Sequence, residues 1–195
     1  MLSKLSKSRV LLSCAGGYGA ENLYENFQQS ALSKNVEFVG CHADPYLLPR
    51  SSFSKNYLVP YAKDKRDYIE ALKSIIKREN IELFVPKSCQ EISVISAVRQ
   101  ELGCKVYLPD HDEIAISQDK YSFYQIVSNF GVSTAETYQI SDIESISKII
   151  KKLDPVDGKY WVRLKTAGLA GAAGAAAVEN ANQATQWIET VTSKF

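Results

Sequence analysis

The sequence has almost no charge imbalance: 23 basic and 22 acidic residues in 195 leave a net charge of +1. That balance removes the electrostatic footprint expected of a nucleic-acid partner or an anionic membrane surface. No apolar run approaches the length needed to cross a bilayer. Histidine is scarce, and His42 and His111 have no carboxylates at metal-ligand spacing, so both read as loop residues. Four cysteines are present, Cys14, Cys41, Cys89 and Cys104, with none at the close spacing of zinc or redox motifs. Cys14 and Cys41 follow apolar runs and read as small buried hydrophobes, which makes a reducing cytoplasm the simplest compartment. Leu11-Leu12-Ser13-Cys14 mimics a lipoprotein cleavage site, but only Val10-Leu11-Leu12 stands between Arg9 and Ser13. That run is too short for the apolar core of a signal peptide, and a strand is the better reading. No Ser/His/Asp or Cys/His arrangement can be assigned from spacing.

What is present is an alternation of short apolar runs and striped segments. Arg9 to Ala15 is a strand-like run that meets Gly16-Gly17-Tyr18-Gly19, after which Ala20 to Ser33 reads as a helix. Val36 to Cys41 is a second strand, closed by Asp44-Pro45; Asn56 to Val59 is a third, stopped by Pro60. Asp67 to Glu79 carries Ile69, Leu72, Ile75 and Ile76 on one helical face. Ile81 to Val85 is a strand, Glu91 to Leu102 a helix stopped by Gly103, and Lys105 to Leu108 a further strand. Strands alternating with helices predict an α/β, doubly wound, mostly parallel sheet over residues 1–116. The rhythm changes over residues 117–195. Asp119 to Phe130 reads as a helix ended by Gly131, Thr137 to Ile140 as a strand and Ile143 to Leu153 as a helix. Tyr160 to Leu164 reads as a strand, Thr166 to Ala177 as an Ala/Gly-rich stretch and Ala181 to Val191 as an amphipathic helix. A small α+β second domain is therefore expected.

Two glycine clusters carry the chemical signal. The first follows a strand and opens a helix, where backbone N–H groups and a helix N-terminus approach an anion. It departs from the dinucleotide fingerprint because Asn22 stands where the third glycine belongs. The second, Gly168-Leu169-Ala170-Gly171-Ala172-Ala173-Gly174, follows a strand bearing Arg163, with Lys165 next. A glycine loop beside fixed cations suits a polyphosphate. No Gly-Lys-Ser/Thr follows, so it is not a Walker-type loop. A turn without ligand and a low-complexity linker are the bland alternatives for the two clusters.

The order of these pieces resembles the carbamoyl-phosphate-synthase-like branch of the ATP-grasp superfamily. The resemblance is carried by Ser13-Cys14-Ala15-Gly16-Gly17-Tyr18-Gly19, Gly40-Cys41-His42-Ala43-Asp44-Pro45 and Tyr57-Leu58-Val59-Pro60. It continues through Phe84-Val85-Pro86 with Glu91 shortly after, Asp119-Lys120, Phe130-Gly131-Val132-Ser133-Thr134, and Ala184 with Trp187-Ile188. It implies a Rossmann-like pre-ATP-grasp domain followed by a truncated part of the ATP-grasp region. It further implies that Lys120, Arg163 or Lys165, Gly168, Gly171 and Gly174 bind ATP, Lys165 aligning better than Arg163 by its distance to Gly171. Gly16, Gly17, Gly19 and Glu91 would face the acceptor. The implied activity is ATP-dependent ligation of a carboxylate to an amine or similar nucleophile through an acyl phosphate, with ATP and magnesium as cofactors and a homodimer as one assembly. The magnesium ligands and catalytic residues are expected past Phe195. Ser88-Cys89-Gln90 replaces an acid common in that family, which leaves the acceptor unnamed. A dinucleotide-binding oxidoreductase and a non-catalytic nucleotide-binding module are the alternatives.

Overall fold

A computed structural model describes residues 7–164 and 174–192. The chain divides into two compact units, Met1–Ile114 and Ala115–Phe195.

In the first unit, five strands form one sheet: β1 (Ser8–Ser13), β2 (Val36–His42), β3 (Lys55–Leu58), β4 (Leu83–Val85) and β5 (Lys105–Val106). Their order is β3-β2-β1-β4-β5 and every pairing is parallel. The parallel sheet expected from the alternation is therefore present. Parallel strands are covered on both faces, and the side-chain alternation shows it. Leu11, Val39, Cys41 and Phe84 point into one cluster with Tyr68, Leu72, Ile75 and Ile76 of α2 (Lys65–Glu79) and Ile95 of α3 (Cys89–Val98). Val10, Leu12 and Phe38 point the other way, onto Ala20, Leu23, Tyr24 and Phe27 of α1 (Tyr18–Gln28). Leu11, Leu12, Leu72, Phe84 and Ile95 are fully buried; each such side chain contributes roughly 1.5–3 kcal/mol by leaving water.

The buried face of α2 is centred on Tyr68 and Leu72, with Ile69 only packed against its margin. The helix stops at Asn80, which takes a left-handed conformation with φ of 51°. Glu79, in its last turn, is buried and still well paired. Lys55 Nζ lies 2.7 Å from its carboxylate and Arg9 Nη1 3.5 Å, and the Tyr57 hydroxyl donates to it at 2.6 Å. The hydrogen bonds from Lys55 and Tyr57 hold the Glu79 carboxyl below its ordinary range.

A helix not foreseen in the sequence, α4 (His111–Gln118), crosses the division between the units. The second unit contains α5 (Lys120–Asn129), α6 (Ile146–Ile150), β6 (Tyr160–Arg163), β7 (Ala175–Val178) and α7 (Ala181–Thr192). β6 and β7 form an antiparallel ribbon whose inner face packs Val162 and Val178 on Ile146 and Ala184. Three expectations need correction. Thr137 to Ile140 joins no strand ladder, so its alternation has no partner to express it. The helix expected from Ile143 to Leu153 is a 3-10 turn, Ile143–Ser145, followed by one short α-helix, α6. Ala175 to Ala177, placed in the Ala/Gly-rich stretch, belongs to β7: alanine is a weak strand former, and the ladder to β6 overrides that preference.

Candidate functional site

The strand order reverses direction between β1 and β4, and in open parallel sheets the crevice beyond the strand C-termini at that point is where ligands bind. β1 there runs into the first glycine cluster and β4 into Pro86-Lys87-Ser88. The turn after β1 is tight. Cys14 has a φ of 57° and Gly16 one of 83°, and the Gly17 N–H donates to the Cys14 carbonyl at 2.9 Å. A Cβ on Gly16 would collide with the Leu47 carbonyl, so only glycine fits. Gly17 then begins α1 without a side-chain cap. Glu21, one turn into α1, ties the turn to the loop after β2: Gly16 N–H donates to Oε1 at 2.8 Å and Ser52 N–H to Oε2 at 3.0 Å. Partial burial would raise this carboxyl, but the backbone donors of Ser52 and Gly16 outweigh it and hold the group below its usual range.

At the same edge, beside the end of β4, Glu91 is 5% exposed and both of its oxygens are occupied. The Ser13 hydroxyl donates to Oε1. The Lys87 and Ser88 N–H groups donate to the same oxygen, each at 2.6 Å, and the Tyr68 hydroxyl donates to Oε2 at 2.5 Å. Ser88 and Glu91 together form a capping box at the start of α3. One carboxylate thus joins β1, α2 and the β4–α3 loop. Its surroundings suppress other ionisations. Burial first, then the Glu91 charge, pushes the Tyr68 hydroxyl far up. Burial and Glu91 also push the Cys14 thiol up to about 11, and burial pushes Cys41 well above its ordinary value. His42 Nδ1 accepts the Asp44 N–H at 2.7 Å, which places the ring proton on Nε2; burial lowers its pKa and keeps it neutral.

Gly16, Gly17, Gly19 and Glu91 therefore meet at one sheet edge. Gly19 is linked to the Glu91 side by Lys87, whose Cε would stand 3.7 Å from a Cβ on that glycine. Ser13, Glu21, Tyr68 and Lys87 were not read from the sequence. Only the Ser88-x-x-Glu91 spacing offered a signal, as a capping box. A separate depression of about 410 Å³, lined by Lys7, Tyr24, Glu37 and Phe38 among others, lies beside the start of β2, away from this edge.

In the second unit, Arg163 is exposed at the end of β6 and faces Ala175 in the ladder. The Leu164 N–H donates to the Gly174 carbonyl at 2.8 Å, and Gly174 has a φ of 69°. Arg163 and Gly174 therefore sit at the same end of the ribbon. Lys120 is the exposed first residue of α5, whose N-terminus is capped by Asp119, the acceptor for Tyr121 and Ser122 N–H groups at 3.0 and 3.1 Å. Lys165, Gly168 and Gly171 lie outside the described residues. Among the described residues no group of three or more His, Cys, Asp and Glu could hold a metal ion.

No protein-family model matches this sequence, and no curated protein matches it. Solved structures do match in three dimensions. The biotin carboxylase of Campylobacter jejuni gives a TM-score of 0.66 at 14% identity over 97% of this chain and 42% of its own. The biotin carboxylase domain of Hydrogenobacter thermophilus 2-oxoglutarate carboxylase, solved with MgADP, ADP and bicarbonate, gives 0.65 at 13% over 94% and 40%. D-alanyl-alanine synthetase A of Vibrio cholerae gives 0.61 at 17% over 94% and 55%. The chain thus spans about half the length of these proteins, or less. All three are ATP-grasp enzymes, and the parallel sheet of the first unit with the small antiparallel ribbon of the second is the fold of part of an ATP-grasp enzyme.

Proposed function

We propose that this chain is part of an ATP-dependent ligase of the carbamoyl-phosphate-synthase-like kind, which activates a carboxylate as an acyl phosphate and joins it to an amine or similar nucleophile. What supports the reading is the likeness of fold over 94–97% of the chain, combined with the reversal of strand order between β1 and β4, the position at which open parallel sheets bind ligands. In this reading the first unit handles the acceptor: Gly16, Gly17 and Gly19 leave room for it, and Glu91 holds Lys87 and the α3 start in place without touching it. The ribbon end of the second unit handles ATP. Arg163, or Lys165 beyond it, neutralises phosphate charge, Gly168, Gly171 and Gly174 let the backbone approach it, and Lys120 adds a further cation. Magnesium, when bound with the nucleotide, supplies further neutralisation of phosphate charge. The described residues offer no cluster of His, Cys, Asp and Glu for it.

Calorimetric titration with ATP tests this. Weak binding at best is expected of residues 1–195; in a longer chain that carries the rest of the ATP region, Lys165→Ala should weaken binding more than Arg163→Ala, and the reverse order moves the phosphate contact to Arg163. The fingerprint lacks its third glycine, with Asn22 in that place, so neither NAD nor NADP is expected to bind. Saturable binding of either without binding of ATP would replace the ligase reading by an oxidoreductase one.

A further inference from the structure

We infer that the loop between β2 and β3 is an acid-released latch on the glycine turn: the His42 ring holds its start, the Glu21 carboxylate holds its end, and each contact opens when its acceptor takes up a proton. The inference uses the first unit alone and is independent of the ligase reading. Residues 44–52 form one wall of the turn after β1. The Leu47 carbonyl fills the space that a Cβ on Gly16 would take, and the Ser51 nitrogen would stand 3.2 Å from that Cβ. At the start of the loop His42 is fixed by the sheet, because its carbonyl accepts the Val59 N–H at 3.0 Å, while its Nδ1 accepts the Asp44 N–H at 2.7 Å. At the far end the Glu21 carboxylate bridges the turn and the loop, taking the Gly16 N–H at 2.8 Å and the Ser52 N–H at 3.0 Å. The bonds from Leu48 N–H to Asp44, Arg50 N–H to Leu47 and Ser51 N–H to Leu48 are internal to the loop and do not hold it to the turn.

Both holding groups act in their deprotonated forms. A protonated imidazole nitrogen cannot accept, and a carboxylate that gains a proton gives up part of its acceptor capacity. Burial lowers the His42 pKa below its ordinary 6.5 and outweighs the charges that face the ring, Asp44 in the loop and Glu91 on α3. Burial would raise Glu21, but the N–H groups of Ser52 and Gly16, with the hydroxyls of Ser52 and Ser51, hold it below its ordinary 4.5. The two shifts have the same sign. Each contact is complete above the ordinary value and is lost as pH falls through the lower folded value. The His42 contact therefore opens first on acidification, and the Glu21 bridge second. Leu48 and Phe53 pack in the cluster on the α1 side of the sheet, so acid frees the hold on the turn while the loop stays tethered.

The test is an NMR titration of the whole chain from about pH 8 to about pH 3.5, following the imidazole and amide signals together. The His42 ring should titrate below 6.5, and the Asp44 amide should shift with the same midpoint. The Gly16 and Ser52 amides should shift together at a second midpoint, below 4.5. His42→Gln should remove the upper stage from the Asp44 amide, and Glu21→Gln the lower stage from Gly16 and Ser52. His111→Gln, at the other histidine of the chain, should leave both stages in place. The wild-type midpoints decide the matter even where a variant fails to fold. An Asp44 amide that stays still while His42 titrates would overturn the latch. So would Gly16 and Ser52 amides that share the His42 midpoint, or that move only when the whole spectrum collapses.

Discussion

At the scale of single residues, two buried carboxylates do different work. Glu91 has no cation in hydrogen-bond contact and is held by hydroxyl and backbone donors. Glu91→Ala leaves those donors without an acceptor, at about 1–3 kcal/mol for a buried group, so the urea midpoint should fall by the equivalent of at least about 2 kcal/mol. An unchanged midpoint would mean that water replaces the carboxylate. Glu79 is instead an ion-pair hub whose folded pKa lies below its ordinary value of 4.5. Its contribution is therefore complete above that value and is lost as pH falls through the depressed folded one. The stability gap between the wild type and Glu79→Gln should be widest near neutral pH and close as the pH is taken toward 3, read by urea denaturation across that range. Neither role was legible in the sequence. Glu91 was visible as an acid near a helix start, but its partners Ser13 and Tyr68 are 78 and 23 residues away along the chain. Nothing in a local window encodes a contact of that kind.

At the scale of elements, periodicity located every strand of the parallel sheet to within about two residues at each end, which is the usual uncertainty of such boundaries. It succeeded best at β1 and β4, whose apolar runs Val10-Leu11-Leu12 and Leu83-Phe84-Val85 lie in the middle of the sheet and are followed by glycine or proline, and at the edge strand β3 it rested on Pro60 more than on an apolar run. It failed where pairing rather than pattern decides the state, as at Ala175–Val178 and Thr137 to Ile140. The glycines divide in a way that the sequence alone does not reveal. Gly16 and Gly103 both have positive φ, but a Cβ at Gly103 meets nothing within 4 Å whereas one at Gly16 meets the Leu47 carbonyl. Gly103→Ala should thus cost only the left-handed backbone, about 1 kcal/mol, and Gly16→Ala clearly more. Thermal melts of the two variants compare them directly, and equal costs would show that the β2–β3 loop yields easily.

At the scale of the molecule, the hydrophobic clusters of the first unit draw on residues 10–106 with Leu108, and that of the second on residues 140–188. A polypeptide ending at Ile114 should therefore keep the amide spectrum of the first unit and melt cooperatively; a collapsed spectrum would show that the second unit is needed for its folding. The ionisation pattern around the β1/β4 edge also has a practical consequence for anyone wishing to attach a probe. Cys41 is buried, Cys14 is a thiol with a pKa near 11, and burial raises Cys104 as well, whereas Cys89 is exposed at the first turn of α3. Alkylation proceeds through the thiolate, so in the native state a maleimide should consume one of the four thiols rapidly and the rest only on unfolding. A fluorophore placed in this way would stand two residues from Glu91 without any engineering of the chain.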